Sequence, residues 1–346
     1  MSSARARTLL VLSALCASLS LPFAAHAQRS PLWSNRWTSA IDRQSTRAAS
    51  LAADAEASLE ESLIRQVELR HSPRPVTPFT AQQEIALSRV LLDAALRDAR
   101  ASLAIDSANG LARYVVARVR EQLDASPPEV VSLARAALAA LPASDRDRRA
   151  QILFSLGVAH TRLEQHAQAR DAYLELVEDA SAPSRATALC NLAEVHMYLN
   201  EVDASLSRYQ ECARLLPTNA TAWWGMAVAH DRAGHDADAR TSADHAVSMD
   251  PDLNDINGEG VFYVPAYERH YYLAVAREAQ ARRPGATVSL TQALASWRSY
   301  MTDGGPNAPW IQRVRAHVAA IEAELSGRAR QAPRGQPAPR GASSPR

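Results

Sequence analysis

The sequence predicts an all-α protein built from stacked helical hairpins, and three observations support this prediction. The segment Ala186 to Met197 (ATALCNLAEVHM) has a counterpart 34 residues later, at Ala220 to Asp231, and another 36 residues earlier, at Ala150 to Thr161. A period in this range is typical of a solenoid, in which each unit buries its apolar face only against its neighbours. Alanine is common, glycine is scarce, and no run of alternating β-branched residues predicts a sheet.

The first 27 residues have the pattern of a signal peptide. Arg5 and Arg7 precede an apolar run at 9–21, and residues 25–27 (AHA) form a cleavage pattern. The run is too short to span a bilayer comfortably, and no later stretch has the roughly 20 apolar residues of a membrane helix. We therefore expect cleavage after Ala27, export to the periplasm, and no transmembrane segment.

The distribution of charge argues against a nucleic-acid-binding body. The whole chain has a formal net charge of +1, and its 38 basic residues are all arginines. Five of them lie in residues 326–346 and two in the signal peptide, both without acids, so residues 28–325 are net acidic. Because an acidic body does not attract a polyanion, we predict no nucleic-acid partner. The basic tail could contact anionic envelope polymers electrostatically.

The mature chain divides into a lead-in, a helical stack and a tail. Residues 28–79 are predicted to hold a helix at about 45–71 and a proline-rich linker. Residues 326–346, rich in Pro, Arg, Gly and Ser, are predicted to be disordered. The stack spans 80–325, with its clearest repeats at 150–185, 186–219 and 220–253, degenerate repeats at 80–109, 110–149 and 267–303, and a capping helix at 308–325.

Apolar residues recur at fixed positions of each predicted helix pair. In the repeat at 220–253 they are Trp223, Met226, Ala227, Ala239, Ala243, Ala246 and Pro251. In the repeat at 186–219 they are Leu189, Leu192, Ala193, Tyr209, Cys212 and Pro217. In the repeat at 150–185 they are Leu153, Leu156, Gly157, Ala169, Tyr173 and Leu176. This pattern resembles the tetratricopeptide repeat (TPR) family, and the resemblance implies a right-handed superhelical solenoid of about five hairpins with a C-terminal cap.

Small residues explain how the two helices of a hairpin pack closely. They let the helix axes approach to roughly 8–10 Å, and the large side chains then fill the gap to the next hairpin. The residues predicted to serve this repeat packing are Gly157, Ala169, Ala193, Ala227 and Ala239.

The resemblance also implies a binding surface, because the first helix of each TPR hairpin lines a concave groove. The corresponding positions here are Phe154, Val158, Arg162, Glu194, Met197, Tyr198, Trp224, Asp231, Arg232, Tyr271 and Glu278. Trp, Tyr and Arg are frequent anchors of binding hot spots, and an extended peptide or a partner helix suits such a strip. The alternative is that Phe154 and Trp224 only pack between repeats. The clamp that the family uses for chaperone tails needs lysine, and this chain has none.

Three histidines, His160, His196 and His230, recur at one position of consecutive repeats. Equivalent positions on stacked hairpins lie roughly 10 Å apart, whereas the ligands of one zinc ion each lie about 2 Å from the metal. We therefore predict packed imidazoles, no metal and no cofactor.

Cys190 and Cys212 are the two cysteines that remain after cleavage, and they lie on the two helices of one hairpin. In an oxidising compartment they can form a disulfide if their Cα atoms come within about 7 Å. Cys212 takes a small packing position, whereas Cys190 takes a position that usually faces the groove. Two buried free thiols are therefore favoured over the bond.

Catalytic signatures are absent from the sequence. It contains no G-x-S-x-G, no H-E-x-x-H, no phosphate loop and no dinucleotide loop. The sequence therefore predicts a non-catalytic scaffold of the cell envelope that binds a protein or peptide in the concave TPR groove. Two alternatives stay open: a structural, envelope-attached protein that uses the basic tail, and an enzyme subunit without a recognisable motif.

Overall fold

The computed structural model describes residues 31–70, 77–178, 184–258, 263–286 and 288–331. Within these ranges all regular elements are helices, so the predicted all-α fold class is confirmed. The predicted signal peptide, linker residues 71–76 and the tail from residue 332 lie outside the described residues. Among the helices that are described, none combines the length and the hydropathy that a bilayer span needs.

The described residues form fourteen helices. They are α1 (Pro31–Arg70), α2 (Pro78–Ile105), α3 (Gly110–Gln122), α4 (Pro127–Ala140), α5 (Arg146–Arg162), α6 (His166–Glu178), α7 (Arg185–Tyr198), α8 (Val202–Leu215), α9 (Ala220–Arg232), α10 (Asp236–Met249), α11 (Asn254–Asn257), α12 (Glu268–Ala281), α13 (Leu290–Gly304) and α14 (Ile311–Gln331).

The chain separates into two compact units. Unit 1 comprises Met1–Ala125 and Arg135–Pro142, and unit 2 comprises Ser126–Ala134 and Ala143–Arg346. The division crosses α4, so the two halves of that helix belong to different units.

Unit 1 contains a long antiparallel hairpin of α1 and α2, with small residues along its seam. The Ser102 hydroxyl donates to the Ala48 carbonyl at 2.7 Å, and the hydroxyls of Ser62 and Ser88 lie 2.6 Å apart. The later residue of α2, Ser102, contacts the earlier residue of α1, Ala48, whereas Ser88 contacts Ser62. The two helices are therefore antiparallel. Most of the region 80–109 is therefore one long helix, α2, which ends at Ile105 and pairs with α1. Helix α1 begins well before the predicted residue 45.

Unit 2 contains successive hairpins that contact their neighbours in chain order. The three clear repeats correspond to the pairs α5/α6, α7/α8 and α9/α10, and a further pair is formed by α12 and α13. Contacts of α6 with α7, of α8 with α9 and of α10 with α12 stack one hairpin on the next. The last helix, α14, packs on α13 and continues to Gln331, beyond the predicted end at 325. This extension is consistent with the residues at 326–331, which include helix-forming Arg, Ala and Gln and no proline.

The first helix of each clear repeat ends in the same backbone turn. One residue of each turn adopts a left-handed conformation: Glu164 (φ 56°), Asn200 (φ 60°) and Gly234 (φ 78°). The next residue donates its N–H to the carbonyl five positions earlier, as in Gln165 to His160 (2.9 Å), Glu201 to His196 (2.8 Å) and His235 to His230 (2.9 Å). This closure satisfies carbonyl groups that the helix end leaves without partners.

The small residues of the repeats lie where helices approach closely. A Cβ on Gly157 would lie 2.5 Å from the ring of Tyr173, and a Cβ on Gly225 would lie 2.2 Å from the ring of Tyr209. These contacts leave no room for a side chain at either glycine. The other positions assigned to repeat packing have low exposed fractions: Ala169 0%, Ala193 0%, Ala227 0% and Ala239 7%.

The structure joins Cys190 and Cys212 as a disulfide between α7 and α8, with their Cα atoms 5.5 Å apart. This differs from the favoured expectation of two free thiols. The resemblance gave Cys190 a position that usually faces the groove, whereas its Cα atom lies close enough to that of Cys212 for the two buried residues to bond. Both sulfur atoms therefore point into the same hairpin interior.

Candidate functional site

The residues predicted to line the groove differ widely in accessibility. On α5, Phe154 and Val158 are partly exposed and Arg162 is exposed. Tyr198 is half-buried, and its hydroxyl accepts a hydrogen bond from the backbone N–H of Val264 at 3.3 Å. The remaining predicted positions are buried: Glu194, Met197, Trp224, Asp231, Arg232, Tyr271 and Glu278. Beyond α5, therefore, side chains of unit 2 itself cover most of the surface that the sequence assigned to a partner.

Trp224 illustrates this change of role. Its side chain is 1% exposed, and its indole N–H donates to Asp250 at 3.3 Å. The Asp250 carboxylate also accepts the backbone N–H groups of Asn254 (2.7 Å) and Asp255 (3.0 Å), at the start of α11. Trp224 thus packs between elements, which is the alternative that the sequence left open for it.

Arg232 lies in the centre of a buried polar cluster. Its guanidinium pairs with Glu268 and lies over the rings of Tyr271 (4.5 Å) and Trp310 (5.1 Å). Glu268 also accepts the Tyr300 hydroxyl at 3.2 Å. Burial disfavours the charged guanidinium, but the nearby negative charge of Glu268 outweighs it and raises the pKa of Arg232. The Arg232 guanidinium therefore keeps its positive charge despite its burial.

Glu194 is the second buried acid of the cluster, and it accepts the hydroxyls of Tyr209 and Tyr272. Burial raises the pKa of Glu194, and the positive charge of Arg232 opposes that rise. A raised pKa in a cleft can indicate a general acid. This carboxyl is only 2% exposed, however, so a substrate has no access to it. Its position favours a structural role.

The last helix, α14, brings two cations to Asp231 at the end of α9. Arg313 donates to the Asp231 carboxylate at 2.6 Å, and the His317 Nε2 atom lies 2.9 Å from it. The Tyr271 hydroxyl donates to the same carboxylate at 2.5 Å. Burial would raise the pKa of Asp231, but His317 and Arg313 overcome this effect and lower it well below its usual range.

His317 bridges two acids. Its Nδ1 atom lies 3.4 Å from Glu278, and its ring stacks on Trp297 with the centroids 4.4 Å apart. Burial would lower the pKa of His317, but the hydrogen bonds and negative charges of Asp231 and Glu278 raise it to about 9. The imidazole is therefore protonated at neutral pH. His317 and Arg282 in turn lower the pKa of Glu278 against the effect of its burial.

A cleft of about 760 Å³ opens between α10, α12 and α14 in unit 2. Alanines supply much of its wall, which leaves room for a ligand, and charged residues of both signs surround them. The lining consists of Asp231, Asp236, Ala239, Arg240, Ala243, Asp244, Val275, Glu278, Ala279, Arg282, Arg283, Pro284, Arg313, Ala316, His317 and Ala320.

The charges of this cleft are unequally compensated. The acids Asp231 and Glu278 are neutralised by the cations described above. Arg283 donates to the backbone carbonyl of Asp244 at 3.3 Å, and it has no ion pair among the described residues. Arg240 is exposed and makes no ion pair or hydrogen bond within the described residues. The rim can therefore offer arginines to an incoming carboxylate.

The sequence placed Asp231 and Glu278 at the binding surface, and the structure places both in the wall of this cleft. It brings Arg162 and Phe154 to neither the cleft nor the buried cluster. Sequence reasoning missed Arg313 and His317, because α14 was interpreted as a cap with a polar outer face. The available signal was their spacing of four residues, which puts both side chains on one face of that helix.

The fold and the cleft define unit 2 as a stack of TPR-like helical hairpins. No protein-family model matches the sequence, and no curated protein matches it. Solved structures with a similar fold include that of PilF from Pseudomonas aeruginosa, which is 16% identical, covers 80% of this chain and 99% of its own, and has a TM-score of 0.47. PilW, a widely conserved type IV pilus biogenesis factor, is 16% identical over 75% of this chain and 97% of its own, with a TM-score of 0.43.

The TPR domain of P58(IPK) is a third similar structure. It is 12% identical, covers 83% of this chain and 80% of its own, and has a TM-score of 0.33. At these identities the likeness concerns the helical fold alone.

Proposed function

We propose that the protein is a non-catalytic scaffold that binds a segment of another protein in the cleft between α10, α12 and α14. The observation that supports this proposal is the cleft itself, whose volume of about 760 Å³ is in the range of ligand sites. Its walls are helices held together by stacked hairpins. Such walls pre-organise a site, so that little conformational entropy is lost when a ligand binds.

The chemistry of the cleft favours an extended peptide that carries a carboxylate. The alanines of the wall accept a backbone or small side chains without a clash. Arg240 and Arg283 at the rim can each pair with a carboxylate in the forked geometry of a guanidinium. The acids Asp231 and Glu278 repel such a ligand little, because His317 and Arg313 already compensate them.

The titratable groups support binding rather than catalysis. Glu194 and Asp231 have shifted pKa values, and both are held by hydrogen bonds inside unit 2. A general acid or base must reach the proton that it transfers, directly or through one water. The Glu194 side chain lacks that access, since its exposed fraction is 2%, and the Asp231 carboxylate is already held by Arg313, His317 and Tyr271.

The proposed location is the periplasm. The first 27 residues have the pattern of an export signal, and the disulfide of Cys190 and Cys212 is of the kind that persists in oxidising compartments. N-terminal sequencing of the protein from a periplasmic fraction tests this: we expect the mature chain to begin at Gln28. A chain that is found in the cytoplasm with residues 1–27 intact would contradict the proposal.

The binding proposal is tested by blocking the cleft. Peptides are first selected on the purified protein from a random display library, and their affinities are then measured by fluorescence anisotropy. Ala316→Trp puts an indole into the cleft, whereas Ala319→Trp puts the same indole on an exposed position of α14 outside the lining. We expect at least tenfold weaker binding for the first variant and unchanged binding for the second.

The rim is tested with Arg240→Glu, which replaces an exposed cation by an anion. We expect this variant to lose the preference for peptides with a carboxylate, because like charges then face each other. Equal affinities of Ala316→Trp, Ala319→Trp and the unchanged protein for the selected peptides would remove the cleft from the proposal.

A further inference from the structure

The shared turn of the three repeats places one side chain against one histidine in each repeat. In each turn the residue five positions after the histidine bonds through its N–H to the histidine carbonyl, and the side chains of the two residues lie close together. In the first repeat the His160 Nδ1 atom lies 2.6 Å from the Gln165 side-chain oxygen. In the second, the His196 Nδ1 atom lies 2.5 Å from a carboxylate oxygen of Glu201. The position therefore normally carries an acceptor for the ring.

The third repeat has a histidine at this position. The ring centroids of His230 and His235 lie 6.0 Å apart, and the His230 Nδ1 atom is buried without a hydrogen-bond partner in the described part of the chain. His235 precedes α10, and Asp238 follows it by three residues, so both side chains lie on the same side of the first turn. An imidazole nitrogen of each histidine and a carboxylate oxygen of Asp238 all lie within 4.8 Å of one another.

We propose that His230, His235 and Asp238 bind a divalent transition-metal ion of the Zn²⁺ type. Two imidazoles and one carboxylate are a common ligand set of three-residue zinc sites, in which water or another ligand completes a tetrahedron. The ligand atoms of such a site lie about 3.4 Å apart, given metal–ligand distances of about 2.1 Å. His235 and Asp238 are exposed, so rotation of their side chains can close the remaining gap.

The ligand chemistry favours a metal of this type. The two imidazole nitrogens separate this site from Mg²⁺ and Ca²⁺ sites, which prefer oxygen ligands.

The chain itself offers the test variant. His235→Gln recreates the His–Gln pair of the first repeat, so it removes one ligand and gives the His230 ring the acceptor that it lacks. Asp238→Asn removes the carboxylate at an exposed position. His270→Gln is the matched control, because His270 pairs with Asp303 at 2.9 Å and belongs to a different helix.

The experiment is isothermal titration of the full mature chain, without a polyhistidine tag, with ZnCl₂ and with MgCl₂. We expect saturable binding of one Zn²⁺ in the unchanged protein and in His270→Gln, and no comparable binding of Mg²⁺. Affinity should fall at least tenfold in His235→Gln and in Asp238→Asn. Circular dichroism confirms that each variant stays folded.

Two results would overturn this proposal. One is the absence of saturable Zn²⁺ binding in the unchanged protein. The other is binding by folded His235→Gln and Asp238→Asn that matches that of the unchanged protein. Because the cleft variants leave these three ligands intact, failure of the metal site is distinguishable from failure of the peptide-binding proposal.

Discussion

Removing His317 should change how the stability of unit 2 depends on pH. In the folded protein Asp231 and Glu278 raise the pKa of this imidazole to about 9, from an ordinary value of 6.5. Because the pKa is higher in the folded protein than in the unfolded chain, the protonated imidazole stabilises the fold. This stabilisation is complete below about pH 6.5 and is lost as the pH rises through about 9. A difference of about 2.5 pKa units corresponds to roughly 3 kcal/mol, at about 1.36 kcal/mol per unit. The side chain is 17% exposed, so solvent screens the interaction only in part.

The assay is urea unfolding of the unchanged protein and of His317→Gln at a series of pH values from 6 to 10, followed by circular dichroism. The unchanged protein should lose about 3 kcal/mol of unfolding free energy between pH 6.5 and pH 10. His317→Gln should be less stable at pH 6 and should lack this loss, because glutamine does not titrate. Parallel stability profiles of the two proteins across this range would contradict a raised pKa of His317 in the folded state.

Three further changes should lower stability for separate reasons, each measured by the midpoint of urea unfolding. Gly157→Ala should cost about 1–3 kcal/mol, because its Cβ would lie 2.5 Å from a tyrosine ring; a neutral effect would mean that the ring moves freely. Reduction of the disulfide between Cys190 and Cys212, which are 22 residues apart, should lower the free energy of unfolding by about 3 kcal/mol. The stability of a double variant with serine at both positions should not change when reductant is added. Arg232→Met should lower the free energy of unfolding by about 3–5 kcal/mol, because it leaves the buried Glu268 carboxylate without its cation. Adding Glu268→Gln should restore part of this stability, and no recovery would contradict the pairing.

The hairpins of unit 2 were predictable because their determinants are local. The spacing of 34 to 36 residues, the small residues such as Gly157 and the helix ends all operate within one repeat or between adjacent repeats. The TPR-like pairing of α5 to α10 follows from these short-range patterns. The long helix α2 lies where the sequence has a degenerate repeat, and a degenerate repeat and a single helix have similar apolar periodicity.

The binding surface was less predictable because its determinants are far apart in the chain. Tyr272 meets Glu194 across 78 residues, and His317 meets Asp231 across 86. No period of the sequence encodes such contacts, so the resemblance assigned buried positions to an open groove. The same resemblance gave Cys190 a position that usually faces the groove, and two buried free thiols were therefore favoured where the structure has a disulfide.

Hydrogen–deuterium exchange with and without a selected peptide distinguishes binding between α10, α12 and α14 from binding along α5. We expect slower exchange at 236–249, 268–281 and 311–321 when the peptide is bound, and no change around Phe154 and Val158. Protection confined to α5, with the three cleft helices unchanged, would contradict this expectation.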